Sequence, residues 1–290
     1  MSHLTEPAYL QHLLQRHGFR FSKALGQNFL IDASIPRRIA ESAFIDKECG
    51  VLEIGPGIGC LTEELALQAG KVLSVELDRS LRPLLEETVG DKQNVEVLFG
   101  DILKLDLKAL VLEKLPQKTR LVCANLPYNI TTPVLTKLIE TGLFDRICVM
   151  IQREVAQRIC ADEGSREGGA FGLYVQYYYY PEMLFSVPPH CFVPQPKVTS
   201  AVIRLTKRFN PSAQAADEEL MFRIIRGAFN QRRKTLVNAM SAAFPETDRS
   251  QWSEILEICG IDTNIRGEKL NLGDFARISN EFHTRKANNL

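Results

Sequence analysis

The sequence predicts an α/β protein with a doubly wound, mainly parallel seven-stranded sheet, followed by a small all-helical C-terminal domain. Two observations carry this: short apolar runs alternate with stretches of helical spacing through the first half, and the last quarter holds helical patterns alone. The runs 51–54, 72–76, 95–99, 120–124 and 147–151 read as strands. Between them fall Leu61, Leu65 and Ala69, then Leu81, Leu84, Leu85 and Val89, then Val134, Leu138 and Ile139. Each set marks one face of a helix. Strand and helix in alternation mean βαβ units with helices on both faces of a parallel sheet. After Arg153 come a helix, a turn at Gly168-Gly169 and the aromatic segment Tyr177 to Tyr180. Two extended runs, 182–187 and 198–205, flank a loop with Pro188, Pro189, Pro194 and Pro196 and read as an antiparallel hairpin closing one sheet edge. The polar stretch Asn210 to Ala216, opened by Pro211, reads as the linker. The expected domains are therefore 1–209, built on the sheet, and 210–290, with four helices punctuated by Gly260 and Gly267.

A 290-residue chain with 45% hydrophobic residues is long enough for one large core and a smaller second one. It contains no apolar run of about 18 residues, and His3, Glu6, His12, Arg16 and Arg20 interrupt the first twenty positions, so a soluble protein is expected, with no membrane partner and no secretion signal. The seven cysteines are widely and irregularly spaced, with no Cys-x-x-Cys pair, which points to a reducing cytoplasm and away from disulfides or zinc. A formal net charge of +0 means that any footprint for a polyanion must be local. From Glu219 to Ala239 the basic residues Arg223, Arg226, Arg232, Arg233 and Lys234 face Glu219 alone, which is either a solvated helix face or a phosphate-binding patch.

The segment Glu53-Ile54-Gly55-Pro56-Gly57-Ile58-Gly59 follows the first strand and opens the next helix. Glycines there let the backbone turn sharply and approach a nucleotide-type cofactor at the sheet's switch point. Glu76 ends the second strand 21 positions after Gly55, where a carboxylate accepts hydrogen bonds from ribose hydroxyls. A dinucleotide enzyme would share both features. Gly100-Asp101 and Asn125 at the next strand ends favour a single adenosine moiety, with Asp101 receiving the adenine amine, although Asp101 also suits a helix cap or turn.

Asn125-Leu126-Pro127-Tyr128 is the most informative tetrapeptide. The exocyclic amine of adenine is a poor nucleophile because its lone pair is delocalised into the ring. Two acceptors, the Asn125 side-chain oxygen and the Leu126 carbonyl, would draw its hydrogens out of plane, Pro127 would fix the turn, and Tyr128 would stack on the base. No metal is needed, since positioning alone is worth about 7–11 kcal/mol in favourable cases. Phe192, on the stiff segment His190-Cys191-Phe192-Val193-Pro194, is expected to stack from the other side.

With these residues in order, the chain resembles the small-subunit ribosomal RNA adenine dimethyltransferases from about Phe21 to Phe282. The resemblance also rests on Leu25-Gly26-Gln27-Asn28-Phe29-Leu30, Phe192-Val193-Pro194-Gln195-Pro196-Lys197-Val198, Phe229 to Leu236 and Arg266-Gly267-Glu268-Lys269-Leu270. It implies a Rossmann-like class I methyltransferase using S-adenosyl-L-methionine, bordered by Asn28 and Leu30 and bound by Gly55, Gly57, Glu76, Asp101 and Asn125. It further implies dimethylation of the N6 amines of two adjacent adenines in a hairpin near the 3′ end of small-subunit rRNA, within an immature ribosomal particle. The helical domain would grip that particle, with Arg232, Arg233 and Lys234 on RNA phosphates. A monomer is expected. The rival readings are a large-subunit rRNA adenine methyltransferase of the antibiotic-resistance type, a non-catalytic ribosome-assembly or transcription factor of the same fold, and a dinucleotide oxidoreductase.

Overall fold

A computed structural model describes residues 3–22 and 25–288. Helix α1 (Pro7–Arg16) precedes the short strand β1 (Phe29–Leu30) and α2 (Ser34–Ser42). The alternation then runs β2 (Cys49–Ile54), α3 (Cys60–Gln68), β3 (Lys71–Glu76), α4 (Arg82–Val89), β4 (Val95–Phe99), α5 (Leu107–Lys114), β5 (Thr119–Asn125), α6 (Thr131–Thr141) and β6 (Arg146–Gln152). Next come α7 (Arg153–Ile159), α8 (Ala170–Tyr178), β7 (Tyr179–Val187), β8 (Phe192–Val193) and β9 (Ser200–Lys207). Helices α9 (Glu218–Asn230), α10 (Leu236–Ala243), α11 (Arg249–Ile258) and α12 (Leu272–Asn288) complete the order. None of the described helices is long and apolar enough to cross a membrane.

The large sheet has seven strands in the order β4-β3-β2-β5-β6-β9-β7. Strands β2 to β6 are parallel, and β9 runs antiparallel to β6 with Met150 opposite Val202. All six residues of β2 are buried, as expected for a strand covered on both faces. The chain moves outward from β2 through β3 and β4, then returns to the other side of β2 for β5 and β6. That reversal opens a crevice beyond the carboxyl ends of β2 and β5, where doubly wound sheets take ligands. A separate two-stranded pair, β1 with β8, joins the segment before the sheet to the Pro-rich loop, Leu30 lying opposite Phe192.

The chain divides into two compact units, 1–156 with 182–207, and 157–181 with 208–290. This differs from a single cut at 209/210, because α8 belongs to the second unit. Its Leu173 and Tyr177 are buried in one core with Met221, Phe222, Leu236 and Trp252. The Tyr177 and Phe222 rings meet edge to face at 5.2 Å. The aromatic segment thus serves packing up to Tyr179, while Tyr180 is exposed beneath the Arg208 guanidinium. Nor is Asn210 to Ala216 a free linker. The Ser212 amide donates to the Tyr177 carbonyl, the Ala216 amide donates to Asn280 Oδ1, and Ala213 and Ala215 pack on the second core. The four expected C-terminal helices are α9 to α12. Asp217 caps α9 through the Leu220 amide, and an Asp248–Gln251 capping box opens α11. Inside them Phe244, Trp252 and Phe282 form a ring cluster with centroids 4.6 to 5.4 Å apart.

Candidate functional site

Strand register fixes the site. Ile54 pairs with Val75 on one side and Ala124 on the other, so the next residue on each strand, Gly55, Glu76 and Asn125, stands at one level of the carboxyl edge. The Gly55 amide closes that row by donating to the Val75 carbonyl at 2.9 Å. One strand further out Glu76 pairs with Phe99, and the Gly100 amide donates back to the Glu76 carbonyl, bringing Asp101 to the same edge. A cleft of about 240 Å³ opens over these tips. Another hollow, of about 10 Å³ in the second unit, has room for at most about one water.

The cleft gathers Asn28, Leu30, Gly55, Gly57, Glu76, Asp101 and Asn125 to Tyr128 along one wall or another. Two glycines of the β2–α3 turn are there for steric reasons. Gly57 has φ +61°, and a Cβ on it would lie 3.1 Å from the Phe29 ring. Gly59 has φ +93°, and its Cβ would meet Val89 Cγ1 at 2.8 Å. Both conformations cost an L-residue free energy that glycine does not incur.

Glu76 is 6% exposed, and its carboxylate accepts the Asp78 amide at 2.7 Å and the Gly57 amide at 3.3 Å. Burial raises its pKa, against the opposing pull of those two amides. The Asp101 Oδ1 accepts the Leu103 amide at 3.0 Å, a turn bond, while Oδ2 lies 3.7 Å from Lys104 Nζ. This loop is tied to α6 by Lys137, whose ammonium donates to the Leu103 and Leu105 carbonyls at 2.8 and 2.6 Å. Apolar Leu77 and Ile102 line the cleft beside the two carboxylates.

The Asn125 Nδ2 donates to the Asn28 carbonyl at 3.3 Å, joining the tip of β5 to the segment before β1. Asn28 Nδ2 in turn donates to the Gly26 carbonyl at 2.9 Å. The Leu126 amide donates to the Met150 carbonyl, and the Ile130 amide and Thr131 hydroxyl both donate to the Pro127 carbonyl. None of these bonds engages Asn125 Oδ1 or the Leu126 carbonyl. Tyr128 is half-buried, its hydroxyl 2.6 Å from Ser200 Oγ, and burial raises its pKa so that the phenol stays protonated at neutral pH.

Two expected site residues are placed otherwise than predicted. Phe192 is 2% exposed and packs in a core cluster with Leu30, Ile35 and Cys191, because the β1–β8 pairing turns that position inward. It offers no open face for stacking. Arg232 is engaged inside its own unit: it donates to the Arg166 and Gly168 carbonyls at 2.5 and 3.2 Å and pairs with Glu268 at 3.4 Å. Arg233 and Lys234 are exposed in the turn after α9 and keep their side chains in solvent.

Glu53 and Gln27 were not singled out from the sequence. Glu53 is 1% exposed yet lines the cleft. Its Oε2 accepts the Thr62 and Ser74 hydroxyls at 2.7 and 2.6 Å, whereas Oε1 is buried without a donor. Burial pushes its pKa up to about 7. Gln27 donates to Asp78 Oδ2 at 2.6 Å and accepts the Ser22 amide, closing the segment over the β3 end. An acidic residue two places before the first glycine is the signal that could have found Glu53; Gln27 lies in the Leu25 to Leu30 motif, but its partner Asp78 is remote in sequence.

These residues fit an adenosine-bearing cationic cofactor: carboxylates for hydroxyl and amine donors, apolar surface beside them, a side-chain-free turn, and an orphaned buried oxygen for a cation. Comparison with known proteins agrees. Residues 18–284 match the family "Ribosomal RNA adenine dimethylase". The chain is 43% identical over 287 residues to the ribosomal RNA small subunit methyltransferase A of Alkaliphilus metalliredigens, covering 99% of this chain and 100% of that one. The namesake from Geobacillus thermodenitrificans is 44% identical over 281 residues, 96% of each chain. Among solved structures, a dimethyladenosine transferase from Plasmodium falciparum shares the fold with a TM-score of 0.75 at 24% identity, covering 89% of this chain and 98% of that one. The 23S rRNA methyltransferase ErmE has a TM-score of 0.68 at 25% identity, covering 88% and 99%. Matched along nearly its whole length by one family, with the cleft that such chemistry needs, the chain belongs to the ribosomal RNA adenine dimethylases.

Proposed function

We propose that this chain uses S-adenosylmethionine to dimethylate the exocyclic N6 amines of two adjacent adenines in a hairpin near the 3′ end of small-subunit rRNA. The observation that carries this reading is the pair of acceptors, Asn125 Oδ1 and the Leu126 carbonyl, which have no hydrogen-bond partner among the described residues and belong to residues lining the cleft over the strand tips. The relatives at 43 and 44% identity bear the small-subunit name, which favours this substrate over the large-subunit one carried by the more distant ErmE.

When bound, the cofactor supplies an electrophilic methyl group on a sulfonium. The chain's own residues hold and orient the partners. Glu76 accepts the ribose hydroxyls and Asp101 the adenine amine, with Leu77 and Ile102 against the ring. The backbone at Gly55 and Gly57, with Asn28 and Leu30, borders the remainder, and Glu53 Oε1 accepts the cofactor's ammonium. On the other side Asn125 Oδ1 and the Leu126 carbonyl each accept one hydrogen of the target amine in the first transfer, and one of them accepts the single remaining N–H in the second, which turns the lone pair out of the ring plane. Pro127 fixes the turn and the Tyr128 ring supports the base, so that one face of the base is stacked and Phe192 braces the wall from behind. The amine's surplus proton leaves to solvent.

The reading has a monomer working in the cytoplasm on an immature ribosomal particle. Arg233 and Lys234 of the second unit contact phosphates, a role that Arg232 leaves to them because of its internal bonds.

Three outcomes are expected. In a tritiated-methyl transfer assay on immature small subunits, Asn125→Ala should lower turnover by at least about 100-fold, the cost of removing a transition-state hydrogen-bond partner, while cofactor affinity falls only several-fold. Full activity would refute the assignment. Replacing both Arg233 and Lys234 by Gln should weaken RNA binding and flatten the slope of log affinity against log salt by about two charges, each worth roughly 0.7–0.9 in slope. An unchanged slope would return the pair to the solvated surface.

The third concerns pH. Glu53 has a folded pKa of about 7 against 4.5 as its ordinary value. Between these values the folded state binds more protons than the unfolded, so the stabilisation held at low pH is lost as pH rises through 7, a change of about 3 kcal/mol. Glu53→Gln removes that dependence. In denaturant unfolding the variant should therefore gain on the wild type between pH 5 and pH 8; an equal difference at both pH values would contradict the buried, uncompensated carboxylate.

A further inference from the structure

The loop that carries Asn125 to Tyr128 is pinned along its backbone, but a tyrosine ring keeps two torsions of its own. The direction of the ring's long axis is set elsewhere. The Tyr128 hydroxyl lies 2.6 Å from Ser200 Oγ, and Ser200 is 0% exposed. A buried hydroxyl without a partner costs free energy, and the partner that satisfies this one is the phenol 72 positions away.

Ser200 itself is not free to adjust. It is the first residue of β9, lies opposite Gln152 in the antiparallel register, and follows Thr199, whose carbonyl accepts the Arg153 amide at 3.0 Å. The anchor therefore belongs to the sheet, two strands away from β5, while the ring belongs to the cleft. Burial keeps the phenol protonated, so the contact is a hydroxyl–hydroxyl bond rather than an ion-dependent one.

We infer that Ser200 is a positioning residue for the target base: through the Tyr128 hydroxyl it fixes the direction of the ring's long axis, hence where the adenine stacks and how its amine lies relative to Asn125 Oδ1. Ser200 touches neither the cofactor cleft nor the base. The inference rests on the methyl-transfer reading above, and it adds to that reading the strand that aims the ring. Because misplacing reacting groups by about 1 Å costs up to about 100-fold, loosening the ring while leaving its apolar face in place should cost about tenfold.

The test uses the full chain and compares wild type, S200A, Y128F, the double variant and S200T on immature small-subunit particles. S200A and Y128F should each lower kcat about tenfold, and the double variant should be no worse than either, because both remove the same bond. S200T keeps the hydroxyl and should recover most of the activity, and cofactor affinity by calorimetry should stay within twofold throughout. Activity of S200A within twofold of wild type, or losses that multiply in the double variant, would overturn the inference. If S200A fails to fold, Y128F decides alone, full activity again overturning it. A readout independent of catalysis is 3-fluorotyrosine at position 128: its fluorine line should shift and broaden in S200A as the ring axis loses its anchor, and identical spectra would contradict the anchor. An inactive wild type with that spectral difference present would count against the functional reading and leave the anchor standing.

Discussion

The parallel pairing of β2 with β3 on one side and β5 on the other is the constraint on which the rest of the site depends. It places Gly55, Glu76 and Asn125 one residue past a common hydrogen-bonded row, so that a glycine turn, a carboxylate and a carboxamide come to a single edge. The strand can hold this position because it is buried over its full length and paired on both sides. A slip of one residue would send each of these side chains to the opposite face of the sheet.

Around that fixed edge the loops are braced to one another rather than left to their own torsions. Lys137 of α6 holds the carbonyls of the Asp101 loop, the Met150 carbonyl of β6 holds Leu126, Asp78 holds Gln27, and Asn28 holds Asn125. The braces reach α6, β6, the loop after β3 and the segment before β1, so the loops around the cleft share supports. The buried Glu53 lines the same cleft. Its raised pKa is the cost of keeping an acceptor without a donor in an apolar wall, a cost that a bound cation would offset.

Much of this arrangement was legible in the sequence because strand tips are marked by short, local signals. The five parallel strands announced themselves as apolar runs, and Glu76, Asp101 and Asn125 could be placed at their ends by counting. What escaped had a non-local cause. The β1–β8 pair is two residues long on each side, too short for any periodicity, and it is this pair that takes Phe192 out of the position its Pro-stiffened loop suggested. Helix α5 has apolar residues at Leu107, Ala109, Leu110, Val111 and Leu112, which mark no single face, and only Leu107 and Val111 are buried. Arg232 looked like its neighbours Arg233 and Lys234, yet carbonyls 64 and 66 positions away decide its role. The division into units followed packing, Tyr177 against Phe222, where the sequence offered a Pro and a polar stretch.

The central claim is chemical: the acceptors at the tip of β5 present an adenine amine to a methyl donor lying over the neighbouring strand tips. Nucleoside mass spectrometry of small-subunit rRNA, after incubating unmethylated particles with the purified chain and S-adenosylmethionine, measures it directly. The account predicts N6,N6-dimethyladenosine at two adjacent positions near the 3′ end; methyl groups on any other atom or base, or none, would contradict it.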